Sequence, residues 1–471
     1  MRGLRLPIQL LLPLFFSLCL APPANATKSR LLGMGDLSIV IEDESNMLNL
    51  WDFGHNPAGF LQDDRGPVVR TDISWDTYQA KDLYYSSYEY SQGIRYKADG
   101  DEFDSRLHLA YRKDGDVAFG LEGNYLSADN DFEFYPNELK SPKLHMIFSK
   151  SLNPSVAFGA DLSYLEEDFE YRYPIYFYPG LHLGLIEEPL YSTAKRKLRD
   201  FRVSVGVSRE VTSKAFVAAQ LEYNSIDPDR IPYLSESYSW KFSGQTVAEV
   251  GGKLSLGVEA TLAFKRSNFV TQLYYPSDDP YQGKEHYYFS SLRFRCLYDV
   301  NSALRLGLFY SDRELFDGFY DPVESTAFYR ELYQDFVRHW GASFSYKLGR
   351  RLLVAAEYHL RDSAKPSPAY SYAWFPKYES LNLGIEARIR GSFSLRGGFI
   401  RGETNENPNF DEQRNNWENK VTTGLGYEPR RSNLIVESSY SYALKKFKQG
   451  WQVADGESNG HLLSLSFKSV F

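Results

Sequence analysis

A chain of 471 residues with 36 Tyr, 32 Phe and a negative mean hydropathy carries too many aromatics for its polarity to be an ordinary packed soluble core; it fits a sheet with one apolar and one polar face. The net charge of −8, with no basic stripe along the chain, argues against nucleic acid as a partner. After the first residues no apolar stretch approaches the length of a spanning helix, which excludes a helical membrane protein.

The chain opens on an export signal. Arg2 and Arg5 form a charged start, Leu10 to Leu20 is apolar, and Ala24-Asn25-Ala26 is a small-x-small cleavage site, so cleavage is expected after Ala26. Cys19 lies in that segment, which leaves Cys296 as the single cysteine of the mature chain and rules out an internal disulfide. The next segment, Leu31 to Phe60, is too broken for a long helix. It has Gly33-Met34-Gly35, an acidic patch at Glu42-Asp43-Glu44, and Asn56-Pro57-Ala58-Gly59, whose glycines and proline suit a chain that turns repeatedly.

From about residue 100 onward, runs of roughly ten residues alternate apolar and polar, the period of a strand with two different faces. Phe201, Val203, Val205 and Val207 oppose Arg202, Ser204, Gly206 and Ser208. Leu292, Phe294, Cys296 and Tyr298 oppose Arg293 and Arg295; Leu304, Leu306 and Leu308 oppose Arg305. Leu352, Val354 and Ala356 oppose Glu357, and Leu381, Leu383 and Ile385 oppose Glu386 and Arg388. Turns between the runs are alternately short, as at Lys113-Asp114-Gly115 and Leu348-Gly349-Arg350, and long, as at 169–199, 226–250 and 312–336.

Short turns on one rim and long loops on the other are the habit of bacterial outer-membrane barrels. The periodicity therefore predicts an all-β fold, a transmembrane antiparallel β-barrel with an even number of strands between 14 and 18 and a best count of 18. Two of those strands come from a hairpin placed at 255–264 and 268–275. The domain boundaries are a signal peptide over 1–26, an N-terminal segment over 27–66 and the barrel over 67–471. Tyrosines near the strand ends, among them Tyr125, Tyr164, Tyr223, Tyr275, Tyr298, Tyr310 and Tyr346, suit the bilayer interface, so outer-membrane lipid is an expected partner.

One long loop stands out for its apolar surface. Tyr173, Tyr176, Phe177, Tyr178, Leu181 and Leu183 form a patch suited to a hydrophobic ligand or a partner, or to a lid over the barrel mouth. The chain ends on alternating Leu463, Leu465, Phe467 and Phe471, the look of a terminal strand that barrel-assembly machinery recognises.

Gly33-Met34-Gly35, the acidic patch and Asn56-Pro57-Ala58-Gly59 together resemble the start of the long-chain fatty-acid transporter family of outer-membrane proteins and its relatives among type IX secretion shuttle barrels. The resemblance implies that Gly33, Gly35, Glu42, Asp43, Asn56, Pro57 and Gly59 belong to a plug folded inside the lumen. There its acids would meet inward charges such as Arg202, Arg293, Arg295, Arg305, Glu357, Glu386 and Arg388. The chain departs from the family pattern at Asp36 and in the extra residues Leu50 to His55, and it counts more strands than the 14 typical of the family. No metal spacing, cofactor loop or Gly-x-Ser-x-Gly elbow occurs, so no enzyme, catalytic residue, metal or cofactor is expected. The expected function is admission of hydrophobic or amphipathic small molecules across the outer membrane, gated by the N-terminal segment. The alternatives are an interaction barrel carrying secreted protein cargo, or a passive porin.

Overall fold

The computed structural model describes Arg30, Met34, Leu37, residues 56–58 and, from Val68 onward, the strands with part of the short turns between them. The strands are β1 (Val68–Tyr85), β2 (Ile94–Lys113), β3 (Val117–Phe132), β4 (Asn137–Asn153), β5 (Val156–Pro174), β6 (Tyr191–Thr212), β7 (Ala215–Asp229), β8 (Ser237–Val250) and β9 (Leu254–Thr271). The second half comprises β10 (Tyr281–Asp299), β11 (Leu304–Phe316), β12 (Phe336–Leu348), β13 (Leu352–Ser363), β14 (Lys377–Arg390), β15 (Phe393–Asn405), β16 (Asn415–Tyr427), β17 (Leu434–Lys448) and β18 (Asp455–Val470).

Each strand pairs antiparallel with its sequence neighbours, and β1 also pairs with β18, so the 18-stranded sheet closes on itself. The closing ladder runs from Val68 opposite Val470 to Lys81 opposite Glu457. Closure leaves no edge strand, which is what lets a sheet sit in hydrocarbon with every backbone group paired. The short turns share one rim with the start of β1 and the end of β18. Gly251, Gly252 and Gly349 take φ of 62°, 69° and 66° in these turns, left-handed conformations that only glycine adopts without strain.

Two sequence expectations are corrected. The stretch 226–250 is not one long loop: it contains the end of β7 and all of β8. The hairpin at 255–264 and 268–275 is a single strand, β9. The two errors cancel in the count and leave 18. The loop expected over 169–199 is also shorter, since β5 continues to Pro174 and β6 begins at Tyr191.

The wall is apolar outside and polar inside, the reverse of a soluble core. Leu262, Leu308, Phe242, Val421 and Leu425 are exposed on the outer face, while Ser204, Ser208, Gln220, Glu259, Glu357 and Ser466 are buried on the inner face. Outward aromatics form two belts. Tyr298, Tyr346 and the tilted ring pair Phe393–Tyr427 lie toward the short-turn rim, and the pairs Tyr223–Trp240 and Tyr310–Trp340 lie toward the other. An apolar band between two aromatic belts is the outer surface of a barrel spanning a bilayer.

Strands of 12 to 22 residues exceed the ~9–11 needed to cross, so they continue past the upper belt. Beyond Tyr164 and Phe201 the outer face turns charged: Lys197 Nζ lies 3.1 Å from Glu166 and 3.2 Å from Asp168. Hydrogen bonds from the Tyr164 hydroxyl and then Lys197 hold the Glu166 carboxyl below its usual range, as expected for a wet, paired site. The band itself makes a checkable statement. Leu308→Arg places a charge between Tyr346 and Trp340 on the lipid face and is expected to destabilise the bilayer-inserted barrel by ~2–4 kcal/mol, measured by unfolding in lipid vesicles.

Candidate functional site: the inner wall and its N-terminal contacts

The inner wall is a lattice of hydroxyl, amide and charged side chains, because every second residue of each strand points inward. Across β5, β6 and β7, the Ser204 hydroxyl donates to Asp161 Oδ2 at 2.8 Å, and Gln220 Nε2 donates to Ser204 Oγ at 3.0 Å. Across β8 and β9, Ser243 and Thr261 share a bond of 2.9 Å, and Thr261 donates to Glu259 at 3.2 Å.

Two parts of the N-terminal segment lie against this wall. The first is Asn56-Pro57-Ala58, which is fully buried. Asn56 Oδ1 accepts the Ala58 N–H at 3.0 Å, a turn of the kind Asn favours, while Asn56 Nδ2 donates to the Ala219 carbonyl at 3.2 Å. The Ser149 hydroxyl lies 3.3 Å from the Ala58 carbonyl. The chain comes this close because two inward residues of the wall are glycines. A Cβ at Gly159 would collide with the backbone of Pro57 and Ala58, and one at Gly206 with the Asn56 amide.

The second part is Arg30, Met34 and Leu37. Met34 and Leu37 are fully buried and pack on Ala355 and Leu353 of β13. A Cβ at Gly384 of β14 would collide with the Met34 carbonyl and a Leu37 methyl. Arg30 forks onto Glu386, Nε to Oε2 at 2.8 Å and Nη2 to Oε1 at 3.1 Å. Arg396 on β15 then binds Glu386 at 2.8 Å and Glu437 on β17 at 2.6 Å, a buried chain of alternating charges. β5 and β14 are nine strands apart in a ring of 18, so the two contacts stand on opposite walls.

Of the residues singled out from sequence, Asn56 and Pro57 lie on the inner wall, whereas Gly33, Gly35, Glu42, Asp43 and Gly59 fall outside the described residues. Arg202 is half-buried on the inner face. Arg293 lies 3.7 Å from Glu259, and Arg295 is buried beside it. Arg305 binds Asp299 at 2.7 Å near the short-turn rim, and Arg388 is exposed at the same rim. Glu357 and Glu386 are buried on the inner wall. Tyr173 is the last residue but one of β5, and Tyr176, Phe177, Tyr178, Leu181 and Leu183 are outside the described residues. Phe467 faces outward on β18, and Phe471 is outside the described residues.

Arg30, Arg396 and Glu437 were not singled out. Arg396 and Glu437 carried a signal, as charges at inward positions of strands whose outward positions are apolar. Among the described residues no three His, Cys, Asp or Glu side chains converge as a metal site would require.

No family model and no curated protein matches the chain. Solved structures similar to it include a Pseudomonas aeruginosa FadL homologue, 13% identical, covering 96% of this chain and 100% of that one, with a TM-score of 0.42. The Pseudomonas putida toluene transporter TodX is 10% identical over 96% and 100% of the two chains, with a TM-score of 0.41. The copper transporter OprC is 10% identical over 86% and 81%, with a TM-score of 0.45. The FadL homologue and TodX are of the transporter family that the opening segment resembles. At these identities and scores they carry neither strand number nor substrate to this chain, and the barrel stands on its own closed ladder.

Proposed function

We propose that this chain is an outer-membrane barrel that admits hydrophobic or amphipathic small molecules and is gated by its N-terminal segment, after a signal peptide is removed behind Ala26. The observation that carries the proposal is the pair of N-terminal contacts on opposite walls. An 18-stranded barrel is wide enough to leave an aqueous channel. The bonds of Arg30 to Glu386 and of Asn56 to Ala219 on the opposite wall support the reading of the N-terminal segment as the gate. The polar, charged wall suits the head of an amphipathic ligand, and the aromatic patch from Tyr173 to Leu183 is the proposed point of capture.

The polar wall also favours a second reading, a passive pore for polar solutes. Planar-bilayer recording separates the two. With the native protein the gated reading expects little steady ion conductance, and deletion of residues 31–60 is expected to open a large one. Steady conductance by the native protein, unchanged by the deletion, supports the passive pore and removes the gate. Capture has its own readout, in which binding of a fluorescent fatty acid to the detergent-solubilised barrel should fall when Tyr176, Phe177 and Tyr178 are replaced by Ser.

A further inference from the structure

The two rims of the barrel carry their charges differently. Above the upper aromatic belt the outward cations Lys140, Lys197, Arg199, Arg338 and Lys377 each have a carboxylate partner. At the short-turn rim Lys150, Arg209, Lys253, Arg351 and Arg388 are exposed and have no carboxylate partner among the described residues. The acids of that rim are turned the other way. Glu210, Glu249, Asp299 and Glu428 occupy inward positions, next in the chain to the outward, exposed Val211, Val250, Tyr298 and Tyr427. Two of them are already matched, Glu249 by Lys214 at 2.6 Å and Asp299 by Arg305 at 2.7 Å. In a chain of net charge −8, the described part of this rim therefore presents unmatched positive charge.

Lys150 of β4 and Arg209 of β6 stand on the lipid face itself. Lys150 alternates with the outward Phe148 and Leu152, and Arg209 with the outward Val207 and Val211. Each is three residues from the end of its strand, close to the lower aromatic belt. On β5 between them is the outward Phe158, paired with Lys150 on one side and Val207 on the other. Long basic side chains lay their stems along such an apolar wall and carry their charged ends to the interface. Arg351 and Arg388 form a second pair, because the Arg388 N–H donates to the Arg351 carbonyl at 2.8 Å and the two exposed side chains start from facing positions. Like charges placed so repel one another unless an anion lies between them.

We infer that the short-turn rim docks anionic phospholipid of the leaflet in which it stands. Lys150 and Arg209 hold one headgroup phosphate over Phe158, and Arg351 with Arg388 supply another such hold. The inference rests on the reading of the chain as an outer-membrane barrel and adds to it the class of lipid. A soluble anion would meet the cations alone, whereas a phospholipid also covers Phe158 and Val207 with its acyl chains. A zwitterionic lipid brings its own ammonium group and leaves the charge of the rim unbalanced. Each basic side chain near an anionic lipid surface strengthens attachment by about fivefold.

The test uses the purified native protein in phosphatidylcholine vesicles with a trace of spin-labelled lipid. Electron paramagnetic resonance reads the share of label immobilised at the barrel surface. Spin-labelled phosphatidylglycerol is expected to be held about fivefold more strongly than spin-labelled phosphatidylcholine at low salt. That preference should fall toward parity in about 1 M NaCl, where the screening length is about 3 Å. Lys150→Gln with Arg209→Gln should lower it at least about twofold, and adding Arg351→Gln with Arg388→Gln should lower it further. Lys377→Gln with Glu379→Gln removes a matched pair from the other rim and should leave it unchanged. Heat-modifiable migration reports that each variant is folded. A folded native barrel that holds the two lipids equally, or an undiminished preference in the folded fourfold variant, overturns the docking surface and leaves the barrel reading standing. A chain with neither heat-modifiable migration nor immobilised lipid overturns both. Displacement of the labelled phosphatidylglycerol by inorganic phosphate, but not by NaCl of equal ionic strength, makes the rim a site for a soluble anion and overturns the lipid assignment.

Discussion

Replacing Gly159 or Gly206 by Ala is expected to turn a closed barrel into a leaking one. Neither position tolerates a Cβ while Asn56-Pro57-Ala58 stays in place. At Gly159 the obstacle is the backbone of Pro57 and Ala58, which has no rotamer to change. At Gly206 it is the Asn56 amide, whose displacement also breaks the bonds to Ala219 and Ala58. The strands themselves are locked by their ladders, so the segment is the element that gives way. Overpacking a fitted contact costs ~1–3 kcal/mol, and that difference applied to a closed–open equilibrium shifts it by about 5–150-fold. Single-channel recording should show more frequent and longer openings in either variant. Gly244→Ala is the control, because a Cβ there meets nothing within 4 Å. Equal, silent traces for Gly159→Ala and the control would mean that Asn56-Pro57-Ala58 does not hold the lumen closed.

The barrel was legible because its physics repeats eighteen times. Phe201, Val205 and Val207 are exposed and Ser204, Gly206 and Ser208 buried, as their alternation indicates. The sequence reading failed at β8 and β9 for a specific reason. In β8 the outward face weakens after Trp240 and Phe242 to Gly244, Thr246 and Ala248, so little apolar contrast remains to mark a strand. In β9 the run Lys265-Arg266-Ser267 looks like a turn. It stands in the upper part of the strand, where both faces are wet and alternation carries no energetic penalty for being broken.

The candidate site was less legible than the wall. Asn56-Pro57-Ala58 reads as a turn from its residue types alone, and resemblance suggests where the turn sits. Gly159, Gly206 and Gly384 look like any other strand glycines, since their meaning lies in the segment each one touches. Arg30 gives no local signal at all, because its partner Glu386 is 356 residues away.

The Arg30 contact yields the other large effect, and two variants separate the proposed gate from the wall. Glu386 is shared between Arg30 and Arg396, and Arg396 in turn reaches Glu437, all of them on a wall where Glu386 and Arg396 are almost fully buried. Glu386→Gln removes the carboxylate from between two guanidinium groups. Breaking a buried pair by deleting one partner costs ~3–5 kcal/mol, because the remaining charge is left uncompensated. That cost falls on two things at once: the ladder β14–β15, which must bury Arg396 with one acceptor fewer, and the docking of Arg30. The expected result for Glu386→Gln is therefore a lower unfolding midpoint in detergent together with raised conductance. Arg30→Ala removes only the N-terminal partner and leaves Glu386 bound to Arg396. It should raise conductance while the unfolding midpoint stays near that of the native barrel. If Arg30→Ala unfolds as early as Glu386→Gln, Arg30 is part of the wall's own stability and not a releasable hold on the segment. If neither variant conducts more, the contact at Asn56 closes the lumen without help from the opposite wall.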